Sequence, residues 1–133
     1  MIFATELNLA QRKNLIALMI KMSLVDGVDE RETTLINQMS ENLGLEVEEI
    51  HQLARKNNVQ KLCSIFTDHR SKVVLIIDLV NIACADDDYT DTEKTQIYEI
   101  CKLIDMPENE FKKIENWVQL GISWKKQGVD LFQ

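Results

Sequence analysis

The chain contains one pattern twice. Met22-Ser23-Leu24-Val25-Asp26 aligns with Ile82-Ala83-Cys84-Ala85-Asp86 at an offset of 60 residues, and past the loops Glu32 aligns with Glu93 at an offset of 61. Ile36, Met39 and Leu43 then match Ile97, Ile100 and Ile104. LGLEVEEI (Leu43 to Ile50) matches IDMPENEF (Ile104 to Phe111). A chain with such self-similarity is expected to build one unit twice and bury the two copies against each other. Each copy reads as an apolar helix, an acidic loop, an amphipathic helix, a short turn and a third helix.

Apolar spacing makes these elements helical. Leu15, Leu18, Met19 and Met22 fall at i, i+3, i+4 and i+7, which predicts a first helix over roughly residues 7–25. Leu35, Ile36, Met39 and Leu43 give the same stripe in the second helix, and Ile97, Ile100, Cys101 and Ile104 give it in the second copy. Phe111, Ile114, Val118 and Ile122 mark a last helix running to about Gln127. Gly44 stands where a helix C-terminal glycine belongs, and Pro107 where a first-turn proline belongs. Lys72 to Ala85 is apolar on nearly all sides, the mark of a buried central helix, and its mate is the helix ending at Val25. A short helix from about Gln60 to Phe66, followed by a cap at Thr67 or Asp68, joins the copies. With only four glycines and one proline among 133 residues, a turn-rich β-fold has little room. The expectation is all-α: one domain over 1–133, about seven helices, and repeat halves at about 8–56 and 68–127.

Net charge is −7. That disfavours nucleic acid, whose binding runs on clustered Lys and Arg, and adsorption to anionic membranes. Cations and basic protein surfaces are the favoured partners. The most apolar run, Val73 to Ala85, is interrupted by Asp78 and Asn81 and is shorter than a membrane span. Cys63, Cys84 and Cys101 have no C-x-x-C spacing and read as free, buried thiols of a reducing compartment. The start, MIFATELN, lacks the basic and apolar regions of a signal peptide, so a cytoplasmic location is expected.

The acidic loops carry the chemistry. Asp29-x-x-Glu32 and Thr90-x-x-Glu93 both fit a capping box, in which the first side chain and the glutamate satisfy each other's backbone N–H. Glu30 and Asp91 also suit the positive start of a helix. Asp26 and Asp86 do not fit that account. They stand at helix C-termini, where a further anion is unfavourable by about 0.3–1 kcal/mol. A bound hard cation offsets the repulsion; the alternative is an Asx-turn in a solvated loop. Counted from Asp86, position six is Asp91 and position twelve is Ile97, so this is not a standard EF-hand.

LVDGVDERETTLINQMSENLGL (Leu24 to Leu45) and ACADDDYTDTEKTQIYEICKLIDM (Ala83 to Met106) resemble the two halves of the TerB-like domain. That domain is known from tellurite-resistance TerB and from the N-terminal region of DjlA-type membrane co-chaperones. The likeness spans about Asn8 to Trp117. It implies an all-helical fold with two central helices, a link to tellurite and chemical-stress response, and metal-binding acidic loops. By that likeness Asp26, Asp29 and Glu32 match the first loop, and Asp86 and Glu93 the second. The first loop is one residue shorter than the second. Asp87 replaces a common glycine, and Thr90 a common acid.

The expected site is therefore Asp26, Asp29, Glu32, Asp86, Asp88 and Glu93, holding Ca²⁺ or Mg²⁺ or a basic surface of a protein partner. No catalytic residue is expected: His51 and His69 have no ligand-spaced partner, and no Ser-His-Asp, Cys-His or phosphate-loop pattern is present. The alternatives are a metal-dependent hydrolase using Asp26, Asp86 and Asp88, and a purely structural interaction module. Asp78 and Asn81 are expected either to find partners across the bundle, Lys21 among them, or to line a cleft. Trp117 and Trp124 are expected in the core or at its edge, with a partner surface beside Lys125 and Lys126 as the alternative for Trp124.

Overall fold

A computed structural model describes residues 2–25, 30–85 and 88–133, and of Arg31 the backbone alone. Among the described residues every regular element is helical. A 3₁₀ turn, Ala4–Glu6, precedes α1 (Leu9–Val25), α2 (Glu30–Asn42), α3 (Val47–Lys56) and α4 (Val59–Cys63). Then come α5 (His69–Ala83), α6 (Asp91–Leu103) and α7 (Glu108–Asp130). The predicted first helix thus starts two residues late, because Asn8 caps it: Gln11 N–H donates to Asn8 Oδ1 at 2.8 Å while Asn8 N–H donates to Gln11 Oε1 at 3.1 Å.

The two central helices are α1 and α5. Leu15 through Ile20 are buried without a break in α1, as are Val74 through Val80 in α5. They touch each other; α2, α3 and α4 pack around α1, and α6, α7 and the 3₁₀ turn around α5. The amphipathic stripes face inward as their spacing requires. Ile36 and Met39 of α2, Ile97, Ile100 and Cys101 of α6, and Phe111, Ile114 and Val118 of α7 are all buried.

Turns 61 residues apart close in the same way. After α2, Gly44 takes a φ of 72°, with Leu45 N–H donating to Ser40 O at 2.8 Å and Gly44 N–H to Glu41 O at 3.0 Å. After α6, Asp105 takes a φ of 59°, with Met106 N–H donating to Cys101 O at 2.8 Å and Asp105 N–H to Lys102 O at 3.3 Å. Both are Schellman closures, which satisfy the last carbonyls of a helix. Pro107 is the cap residue of α7 rather than its first-turn residue; its φ of −64° suits either position. The linking helix ends earlier than predicted, at Cys63, and Asp68 is the cap of α5, accepting from Ser71 N–H.

Candidate functional site

Of the six expected site residues, Asp26, Asp29 and Asp86 lie outside the described residues. Glu32, Asp88 and Glu93 are described, and they do not share one environment. Asp88 is exposed in the segment entering α6. Glu32 from α2 and Glu93 from α6 line one cavity of about 10 Å³, together with Met19, Met22, Ser23, Ile82 and Ala83. The fold thus brings the described ends of both acidic segments to the same end of the bundle, where α1 and α5 finish. The cavity has room for about one water-sized sphere.

Glu93 has a structural task as well. Its Oε1 accepts from Thr90 N–H at 3.0 Å, and Thr90 Oγ1 accepts from Glu93 N–H at 3.1 Å. This is the predicted capping box, and it holds a buried carboxylate in place. The corresponding Asp29–Glu32 box lies partly outside the described residues. Two carboxylates at one small cavity, beside two helix C-termini, are oxygen donors of the kind a hard cation takes. Among the described residues, however, no three His, Cys, Asp or Glu side chains form a ligand cluster. A complete shell would need the undescribed aspartates.

Sequence reasoning missed what anchors the second acidic segment. Tyr89 donates its hydroxyl to Glu115 Oε2 at 2.5 Å, and Lys94 Nζ lies 3.7 Å from Glu115 Oε1. Glu115 is buried on α7, so this bond fixes the segment to a helix 26 residues away. Burial, and then the Glu115 carboxylate, push the Tyr89 phenol up, keeping it a donor. Glu115 standing within an apolar stripe was the available signal.

The polar residue of the central helix also has a partner other than the one expected. Asp78 Oδ1 accepts from Ile2 N–H at 2.6 Å, while its Oδ2 is buried with no hydrogen bond. Lys21 does not serve it. Instead Lys21 lines a cavity of about 360 Å³ between α1, α2 and α3, with Ile20, Ile36, Ala54, His51 and Arg55. That volume lies in the range of small-molecule sites, and among the described residues its charged lining is Lys21 and Arg55. Cys63, Cys84 and Cys101 are buried, and burial pushes the Cys63 and Cys101 thiols up to about 12, so they stay protonated and unreactive.

Trp117 and Trp124 are not core residues. They are 50% and 77% exposed, because the inward stripe of α7 runs through Phe111, Ile114 and Val118 on another face. No described helix is long and apolar enough to cross a membrane.

Residues 54–116 match the family model described as "Tellurite resistance protein TerB". The matched stretch runs from the end of α3 into the first half of α7 and contains the second acidic segment. It is narrower than the span read from the repeat, and the first acidic segment lies outside it. No curated protein and no solved structure matches the chain.

Proposed function

We propose, starting from a chain that is TerB-like across residues 54–116, that it works as a non-enzymatic, cytoplasmic binding or scaffold protein of chemical-stress response, tellurite stress included. Its two acidic segments form one electronegative end of the bundle. That end takes a divalent hard cation, Ca²⁺ or Mg²⁺, and through it or directly a basic surface of a protein partner. The observation carrying this reading is that Glu32 and Glu93, from segments 61 residues apart, line the same cavity at the C-terminal ends of α1 and α5. Glu32, Glu93, Asp26, Asp29, Asp86 and Asp88 would hold the ion. It would neutralise carboxylates placed against the negative helix ends.

Calorimetric titration with Ca²⁺, Mg²⁺, Mn²⁺ and Zn²⁺ tests it, beside Glu32→Gln and Asp86→Asn. Binding heat is expected with a hard ion, weakened by either substitution. The melting temperature should rise too, since an ion at a hundred times its Kd adds about 2.7 kcal/mol. Neither heat nor a melting shift at millimolar ion would remove the cation and leave an interaction module.

A second reading rests on the cavity lined by Lys21 and Arg55. Apolar walls with Lys21 and Arg55 at the rim, Arg55 also paired with Glu48, suit a small amphipathic anion. Decanoate is then expected to displace a fluorescent apolar anion from the protein, and Lys21→Gln to weaken it. Equal displacement by decanol would exclude a role for charge.

A further inference from the structure

The last three turns of α7 make no core. Val118 is the last buried residue of the chain, and beyond it Ile122 alone packs partly on the core. An isolated helical stretch this short is marginal in water. This one also carries two interior glycines, Gly121 and Gly128, each costing about 1 kcal/mol relative to alanine. Nothing in the monomer explains them: a Cβ at either position would meet no atom within 4 Å.

The same stretch is strongly apolar on one outward face. Leu120 is 69%, Leu131 86% and Phe132 88% exposed, beside Trp117 and Trp124. Phe3 stacks on Trp117 with centroids 6.1 Å apart and extends the patch. Three aromatic rings and two leucines at these exposures present roughly 700 Å² of apolar surface. A monomer's largest patch is normally about 300–600 Å², and a standard interface needs about 800 Å² per partner. The patch is therefore large for a monomer and close to half of a stable dimer interface.

We infer that this face of α7 is a dimer interface, packed antiparallel against α7 of a second copy. Trp117, Gly121, Trp124 and Gly128 alternate large and small at spacings of four, three and four, so they share one side of the helix. Read backwards with large and small exchanged, the pattern is the same. In an antiparallel pair Trp117 meets Gly128 of the second copy and Trp124 meets its Gly121, in both directions at once. That is the self-complementarity a two-fold interface requires. The hollow exists already: Trp124, Val129, Leu131 and Phe132, with the polar Lys125 and Gln127, wall a concavity of about 680 Å³ at Gly128. Charge permits the contact. From residue 116 onward the charged side chains are Lys125, Lys126 and Asp130, a net of +1 in a chain of −7, so the acid-rich surfaces need not meet.

Sedimentation equilibrium of the full chain over a range of concentrations tests this. A reversible dimer of twice the chain mass is expected. Trp124→Ala, which removes an exposed side chain and leaves the core intact, should weaken it by about thirty-fold or more. Gly128→Leu is the sharper probe. It favours the helix and adds apolar surface, so mere stickiness would increase; filling the hollow is instead expected to abolish the dimer, with helical content by circular dichroism unchanged or higher. Three results would each overturn the proposal. These are a monomer at every concentration, a dimer indifferent to both substitutions, and tighter association of Gly128→Leu. A monomer that instead co-sediments with phosphatidylcholine vesicles through this face would assign the patch to lipid and equally refute it.

Discussion

At position 105 an aspartate occupies the left-handed region, where its repeat mate is Gly44. L-residues pay roughly 1–2 kcal/mol for that conformation, although a short polar side chain eases it. Asp105→Gly is therefore expected to stabilise the protein by about 0.5–1 kcal/mol, and Gly44→Ala to destabilise it by about 1 kcal/mol. A Cβ on Gly44 meets nothing, so that loss would be purely conformational. Urea unfolding followed by tryptophan fluorescence checks both, and opposite signs are required. Tyr89 gives a second prediction at this scale. Tyr89→Phe keeps the ring but leaves Glu115 buried without its 2.5 Å donor, a loss of about 1–3 kcal/mol. Phe at no cost would mean that water or Lys94 serves Glu115 equally well.

Among the elements, the helices were legible because each displays its buried face at spacings of three and four. The stripes at Ile36 and Met39, Ile97 and Ile100, and Phe111 and Val118 all point inward as read. Caps were legible where both partners lie within three residues. Thr90-x-x-Glu93 closes as a capping box, and Thr90→Ala should cost about 1 kcal/mol, measurable as a lower urea midpoint. Asn8 and Gln11 make the same reciprocal pair and went unread, since Asn with Gln is a less recognised form of the box. What local pattern does not encode is pairing between distant segments. Tyr89 finds Glu115, and Asp78 finds Ile2, only after the helices have packed. The candidate site shows the same division. Acidic residues near helix ends were visible in the sequence, but the meeting of Glu32 and Glu93 at one cavity follows from α1 and α5 finishing side by side. The tryptophans of α7, read as core or edge residues, lie beside the buried stripe rather than on it: Trp117 keeps an edge contact with Phe3, and Trp124 is 77% exposed.

For the molecule as a whole, one carboxyl ties the chain's beginning to its centre. Asp78 lies fully buried in α5 and accepts from Ile2 N–H across 76 residues. Burial raises its pKa from 3.8, and the Ile2 and Phe3 N–H groups only partly oppose this. An acid raised in the fold holds its proton more tightly folded than unfolded. As pH climbs from 3.8, the unfolded chain releases that proton first, so Asp78 lowers stability progressively until the folded group has also ionised. Below 3.8 the carboxyl is neutral in both states and has no such effect. Asp68, whose pKa the hydrogen bonds from Ser71 lower from 3.8, runs the other way and adds stability as it ionises. The total profile therefore mixes two signs, and only a difference isolates the buried group. Asp78→Asn keeps the shape and an oxygen for Ile2 but cannot ionise. Its stability relative to wild type is expected to rise with pH across the acid range and then level off. Urea midpoints of the two proteins, taken from roughly pH 3 to pH 8, give that difference directly. Parallel profiles would mean that Asp78 titrates alike in both states.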